Sequence, residues 1–235
     1  MCTLVVGFAP GTATPVWVAA NRDELLARPA SGPRRWPGET FWAPRDEQAG
    51  GTWLGLTDGG MFVGVTNRFG AAKDNARASR GALVVDALRA PNARALHAQL
   101  STIDPRKYNA FHLLYADATD AFVTWCDGET LHQQTLTPGV HIVTERSLGG
   151  DDHQRTEAIR AALGGKTTPT PEELQAILKL HHPTDPTGSI CVHLPDWGYG
   201  TRSSLVLQLP AGEEPRAFWA DGAPHATPFV PTLIR

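Results

Sequence analysis

Residues 1–24, MCTLVVGFAPGTATPVWVAANRDE, decide the fold. Two β-rich runs, CTLVVGF (2–8) and VWVAA (16–20), flank the Pro/Gly/Thr cluster APGTATP (9–15). Run, turn and run in this order predict an antiparallel hairpin. If the chain reverses around Thr12, Phe8 lies opposite Val16. Counting outward then sets Cys2 opposite Arg22, to within one or two residues. The hairpin would therefore carry Asn21, Arg22, Asp23 and Glu24 alongside a thiol at the head of the first strand.

That placement has chemical content. Removal of Met1 would make Cys2 the amino terminus, and an α-amino group titrates at about 7.7–8.0, so it can accept a proton near neutrality. One residue would then hold both nucleophile and base. Arg22 is expected to favour the thiolate. Asp23 is expected to orient the amine, and Asn21 to donate to a developing oxyanion. Retention of Met1 would acylate the amine and remove the base. The plain alternative is a cysteine packed in an apolar strand beside a solvated charged strand end.

Beyond the hairpin, TWLGLTDGGMFVGVTNRF (52–69) reads as two strands joined through Asp58-Gly59-Gly60. RGALVVDALRAPNARALHAQL (80–100) has helical spacing and reads as two short helices divided by Pro91, which suits the start of the second. FHLLYAD, AFVTWCD, TLHQQTL and VHIVT (111–144) read as strands. DDHQRTEAIRAAL and TPEELQAILKL read as helices, the latter with a capping box at Thr170 and Glu173. SICVHL, SSLVLQL and RAFWA return to strands. Strands and helices thus come in runs, which points to an α+β fold of mainly antiparallel sheets in αββα layers. No linker divides the chain, so residues 1–235 are expected to form a single domain.

The 235 residues are 41% hydrophobic and 19% charged, with a net charge of −3. This is a globular composition, and it argues against nucleic acid as the main partner. No apolar run spans a bilayer, so no stable membrane insertion is expected. Three cysteines without C-x-x-C spacing suggest neither a disulfide framework nor a metal centre, and fit a cytoplasmic protein. His181-His182 could bind a metal or haem, but reads better as the end of a helix. Of seven tryptophans, Trp36, Trp42 and Trp53 are candidates for an apolar substrate pocket. Arg34, Arg35 and Arg45 could meet an anion. The oligomeric state is not legible.

A set of landmarks adds a resemblance: MC at 1–2, AANRDE at 19–24, RP at 28–29, GGTWLG at 50–55, TN at 66–67, RG at 80–81, YNAFHLL at 108–114, LTPG at 136–139 and YGTR at 199–202. Their order resembles that of the NRDE family, also called the transport and Golgi organisation protein 2 family. The resemblance implies an N-terminal nucleophile hydrolase fold, a four-layer αββα sandwich like that of penicillin V acylase and bile salt hydrolase. By the same resemblance Cys2 is the nucleophile and Asp23 holds the terminal amine. Asn67 is an oxyanion or substrate asparagine, and Arg202 supports the nucleophile. With Asn21, Arg22, Glu24 and Trp53 as substrate contacts, this implies a hydrolase of a C–N or acyl bond in a small, partly apolar substrate, without cofactor. Two positions depart from the acylase pattern: Ala20 replaces an arginine, and Glu145 stands where an asparagine is usual. A carboxylate donates no hydrogen bond unless protonated. The alternative is a non-catalytic carrier of haem or an acyl-CoA-like ligand, in line with the lipid and haem associations of eukaryotic members.

Overall fold

The computed structural model describes residues 2–148 and 153–232. The chain runs β1 (Cys2–Phe8), β2 (Val16–Leu25), β3 (Ala30–Arg35), β4 (Phe41–Asp46), β5 (Leu54–Thr57), β6 (Phe62–Asn67), α1 (Arg80–Ala87), α2 (Ala93–Leu100), β7 (Phe111–Ala116), β8 (Ala121–Cys126), β9 (Leu131–Thr135) and β10 (Gly139–Thr144). It continues with α3 (His153–Leu163), α4 (Pro171–Leu178), β11 (His193–Leu194), β12 (Tyr199–Leu209), β13 (Arg216–Ala220) and β14 (Val230–Thr232).

The first hairpin forms in the expected register, with Phe8 opposite Val16 and Cys2 opposite Arg22. It lies within a sheet ordered β10-β1-β2-β12-β13-β14, with β11 added beside β12. β3 to β9 form a second antiparallel sheet in sequence order.

Both faces of the hairpin are covered, which is why its strands read as continuous apolar runs. Leu4, Val6 and Phe8 on β1 and Val16, Val18 and Ala20 on β2 face the second sheet, where Trp42, Leu54, Leu56, Phe62 and Leu114 receive them. Val5, Trp17 and Ala19 face the other way, against Ile159 and Leu163 of α3 and Leu174 and Ile177 of α4. The outer face of the second sheet packs Phe41, Val63 and Leu113 under Leu83, Val84, Leu88 and Leu96. Helices, sheet, sheet and helices form the four expected layers. Burying each such side chain contributes roughly 1.5–3 kcal/mol. Strand alternation also sorts the polar end of the hairpin. Cys2 and Arg22 share the face between the sheets, while Asn21 and Asp23 share the face toward α4.

Local chemistry matches the sequence at most ends. The capping box of α4 is present. Gly60 takes the left-handed conformation needed by the Asp58-Gly59-Gly60 turn. The division of 80–100 into α1 and α2 is as expected, but Pro91 precedes the N-cap Asn92 and does not open α2. DDHQRTEAIRAAL is helical from His153, and Asp151 and Asp152 lie outside the described residues.

Two expectations need correction. The Pro-rich segments around Trp36 and Trp42, to which the sequence reading assigns no strand, hold the edge hairpin β3–β4, with a register shift between Ser31 and Arg34 around Pro33. A proline is tolerated there because an edge bulge requires no ladder donor. SICVHL is a strand only over His193–Leu194. The amides of Ile190 and Cys191 donate instead to the Leu180 carbonyl just beyond α4, at 3.1 and 2.9 Å.

Candidate active site

At the Cys2 end of the inter-sheet space lies a cavity of about 300 Å³. Cys2, Arg22, Asp23 and Glu24 line it from the first hairpin. Gly51, Thr52, Trp53, Val65 and Asn67 line it from the second sheet, and residues between Lys73 and Gly81 complete its wall. A narrower apolar slot beside Cys2 runs between Leu4, Ala20, Leu54 and Gly64. Of the three candidate tryptophans only Trp53 reaches the cavity. Trp42 is core, and Trp36 packs on Phe41 with its indole N–H donated to the Ala43 carbonyl.

Two landmarks, GGTWLG and RG, find their reason here. A Cβ on Gly51 would lie 2.5 Å from the Gly81 carbonyl carbon, so the strand that presents Trp53 and the start of α1 meet backbone to backbone. That contact brings Arg80 to the cavity, with its guanidinium donating to the Ala110 carbonyl at 3.0 Å. Sequence reading left Arg80 without a role. The close-packed glycine pair was the available signal.

Cys2 is partly exposed, and its Sγ lies 3.8 Å from the Asp23 carbonyl oxygen. Burial pushes its thiol above the ordinary value, and the opposing charge of Arg22 is a lesser influence. Arg22 does not therefore supply a thiolate, contrary to expectation: desolvation outweighs a single nearby cation. Proton removal falls to a base.

Arg22 is held for another task. Its guanidinium stacks over Trp53 with Cζ 4.1 Å from the ring centroid. Its Nη2 lies 3.6 Å from Asp46 and 3.9 Å from Glu24. Its Nη1 is buried and has no partner among the described residues. Arg28 locks Asp46 through Nη2 at 2.8 Å and Nε at 2.9 Å.

Asp23 is buried, and its Oδ1 accepts a 2.6 Å hydrogen bond from the Thr201 hydroxyl, directly across the β2–β12 pair. Its Oδ2 has no partner among the described residues. Burial raises its carboxyl to about 7 against the pull of the Thr201 bond. The Tyr199 hydroxyl donates to the Asp23 carbonyl at 3.0 Å.

The remaining candidates divide. Asn67 is exposed on the cavity wall at the end of β6. Asn21 is not an oxyanion donor. Its amide donates both hydrogens, to the carbonyls of Leu178 at 2.9 Å and Ile190 at 2.8 Å, and its Oδ1 accepts from Ser204. Arg202 sits where the β2–β12 register shifts and pairs with Asp221 at 3.0 Å, so it does not line the cavity. Arg34, Arg35 and Arg45 pair at the surface with Glu47 and Asp58. Glu145 is buried and accepts from Arg155 of α3 at 2.6 Å. It is a paired anion, not a substitute for an asparagine donor.

The fold is shared with amide hydrolases. A Caenorhabditis elegans ortholog of N-acylethanolamine-hydrolyzing acid amidase superposes with a TM-score of 0.59 at 15% identity, covering 98% of this chain and 100% of that one. A variant of the conjugated bile acid hydrolase from Clostridium perfringens superposes with a TM-score of 0.59 at 9% identity, covering 100% and 97%. In sequence, the Transport and Golgi organization protein 2 homolog of Bos taurus is 24% identical over 90% of this chain and 89% of its own length. The human homolog is 28% identical over 52% of this chain and 47% of its own. The family profile for Transport and Golgi organisation 2 matches residues 1–214, and the chain belongs to that family.

Proposed function

We propose that the protein is an N-terminal cysteine hydrolase that cleaves a C–N or acyl bond in a small, partly apolar substrate. The observation that carries the reading is that Cys2, with its Sγ 3.8 Å from the Asp23 carbonyl oxygen, lines one cavity with an Asp23 carboxyl whose Oδ2 has no partner among the described residues. Cys2 lies opposite Arg22, the strand neighbour of Asp23. An amine freed by loss of Met1 would be the Cys2 nitrogen, and the buried Asp23 Oδ2, without a partner among the described residues, is the acceptor offered to it.

The reaction then proceeds as follows. The Cys2 amine takes the thiol proton as sulfur attacks the carbonyl carbon. The tetrahedral oxyanion takes hydrogen bonds from the Asn67 amide and from the free Nη1 of Arg22. Collapse breaks the C–N bond, and the protonated amine returns its proton to the leaving nitrogen. Water, deprotonated by the same amine, hydrolyses the thioester and releases the acid. Asp23 orients the amine throughout. The slot beside Cys2 accepts an apolar portion of the substrate, and Arg22, Arg28, Lys73, Arg77 and Arg80 favour a polar or anionic portion.

The test is mass spectrometry of the purified protein before and after an acylating electrophile. Loss of Met1 and single labelling at Cys2 ahead of Cys126 and Cys191 are expected, with labelling slowed in Asp23→Asn. Retained Met1, or equal labelling of the three cysteines, overturns the reading. A second reading, a carrier without chemistry, draws on the same five cations. Titration with haem that gives a saturable Soret shift in a protein with an unreactive Cys2 would favour it.

A further inference from the structure

On the α4 side of the first sheet, three segments converge. His181 follows α4, Cys191 precedes β11, and His225 lies in the loop between β13 and β14. One ligand atom from each of these residues lies within 4.8 Å of the other two. The Cys191 Sγ is 3.3 Å from the His225 Nδ1. The His181 ring meets the His225 ring edge-on at 4.9 Å between centroids, and the His193 ring meets it at 5.4 Å.

The backbone holds this arrangement. The amide of Cys191 donates to the Leu180 carbonyl, which sets Cys191 beside His181. Asn21 ties the Ile190 carbonyl to β2. Cys191 is fully buried, while His181 and His225 are exposed. A tetrahedral zinc ion, with bonds of about 2.0–2.3 Å, separates its ligands by roughly 3.3–3.8 Å. The Cys191–His225 pair already has that spacing, and an imidazole rotation closes the remainder.

We propose that His181, Cys191 and His225 form a binding site for zinc or a similar divalent transition metal, with His193 or a water as fourth ligand. Thiolate and imidazole together select such a metal over magnesium or calcium. The metal displaces the thiol proton on binding. The site also touches the cavity chemistry. Val192 donates its amide to the Thr201 hydroxyl at 2.9 Å and accepts from the Thr201 amide at 2.8 Å, and the same hydroxyl donates to Asp23. A metal that clamps Cys191 and His193 would hold Thr201, and through it Asp23.

The experiment uses the full chain, stripped of metal with a chelator. It is titrated with zinc by calorimetry and with cobalt(II) by absorption. One equivalent of zinc is expected. Cobalt should give tetrahedral visible bands with a sulfur-to-metal charge-transfer band. That band should vanish in Cys191→Ser and persist in Cys2→Ala and Cys126→Ser. His225→Gln and His181→Gln alter exposed side chains and should each weaken zinc binding by more than the roughly 10–100-fold typical of losing a supporting residue. If Cys191→Ser does not fold, the histidine variants decide. The proposal is overturned by the absence of saturable binding, by a charge-transfer band that survives Cys191→Ser, or by unchanged affinity in both histidine variants.

Discussion

In β2, residues 16–20 and residues 21–23 are buried almost alike and built from opposite materials. Val16 to Ala20 are apolar and packed on both faces. Asn21, Arg22 and Asp23 continue the same strand, just as hidden, with an amide, a cation and an acid. Burying an ion costs several kcal/mol even after relaxation. The second half therefore works against stability where more valine would have served it. Its atoms also separate by role. Asn21 satisfies every donor and acceptor it has, and it joins α4 to the sheet. Arg22 and Asp23 each keep one buried polar atom without a partner among the described residues, and both line the cavity. Within this strand, complete hydrogen bonding marks structure, and incomplete hydrogen bonding marks the place for a substrate or an amine.

The sharpest way to break this comparison is through the ion pair near the polar half. Arg155→Ala should cost about 3–5 kcal/mol in urea unfolding, because it leaves Glu145 buried and uncompensated. Replacing both, as Glu145→Leu with Arg155→Met, should recover most of that loss. A double variant as unstable as the single one would mean that the charges themselves maintain the fold. In the apolar half, Leu207 lies opposite Val18 and is fully buried. Leu207→Ala should cost about 2–5 kcal/mol and leave the rate of Cys2 labelling unchanged. Asn21→Leu should cost less, about 1–3 kcal/mol, by stranding the Leu178 and Ile190 carbonyls. A large drop in Cys2 labelling in that variant at constant stability would return Asn21 to the chemistry.

How far the sequence discloses these features depends on how local their causes are. The hairpin register follows from a turn cluster and two apolar runs, all within residues 2–22, and it could be counted. The capping box of α4 and the turn at Gly60 are equally local. The β3–β4 hairpin is hidden because Pro33, Pro37 and Pro44 look like loop residues, whereas Pro33 lies at the bulge of the edge strand β3, Pro37 between the strands, and Pro44 in β4 facing that bulge. Asn21, Arg22 and Asp23 are adjacent letters, and their divergent tasks follow from alternate faces and from partners at 178, 190 and 201. The thiol of Cys2 was misjudged because a neighbouring cation is visible in the sequence and desolvation is not. RG at 80–81 and His181-His182 are visible in the sequence, but what Arg80 faces, and the meeting of His181 with Cys191 and His225, are set by long-range packing.

The smallest expected effect is a slope in stability against pH, and it separates the two polar networks by sign. Asp23 is raised to about 7 from an ordinary 3.8, so the native state holds that proton more tightly than the unfolded chain. Its contribution is complete below about 3.8 and is lost as pH rises to about 7. His112 is the reverse case. It is buried with Arg68 Nη1 2.8 Å and the Ser147 carbonyl 2.9 Å from its Nε2, and the Thr66 hydroxyl 3.1 Å from its Nδ1. Burial first, and the Arg68 charge second, lower it to about 4 from an ordinary 6.5. Its contribution is complete above about 6.5 and is lost as pH falls to about 4. Between those limits the two slopes oppose each other, each at most about 1.4 kcal/mol per pH unit. Wild type compared with Asp23→Asn should lose relative stability as pH rises through this window, and wild type compared with His112→Gln should gain it. Exposed carboxylates are common to all three proteins and cancel in the differences. Urea unfolding at intervals from pH 4.5 to 7.5 reads both. A flat difference for Asp23→Asn would show that its carboxyl is already ionised in the folded protein and that Oδ2 has a cationic partner, the result a protonated Cys2 amine would give once Met1 is lost; the slope belongs to the protein that keeps Met1.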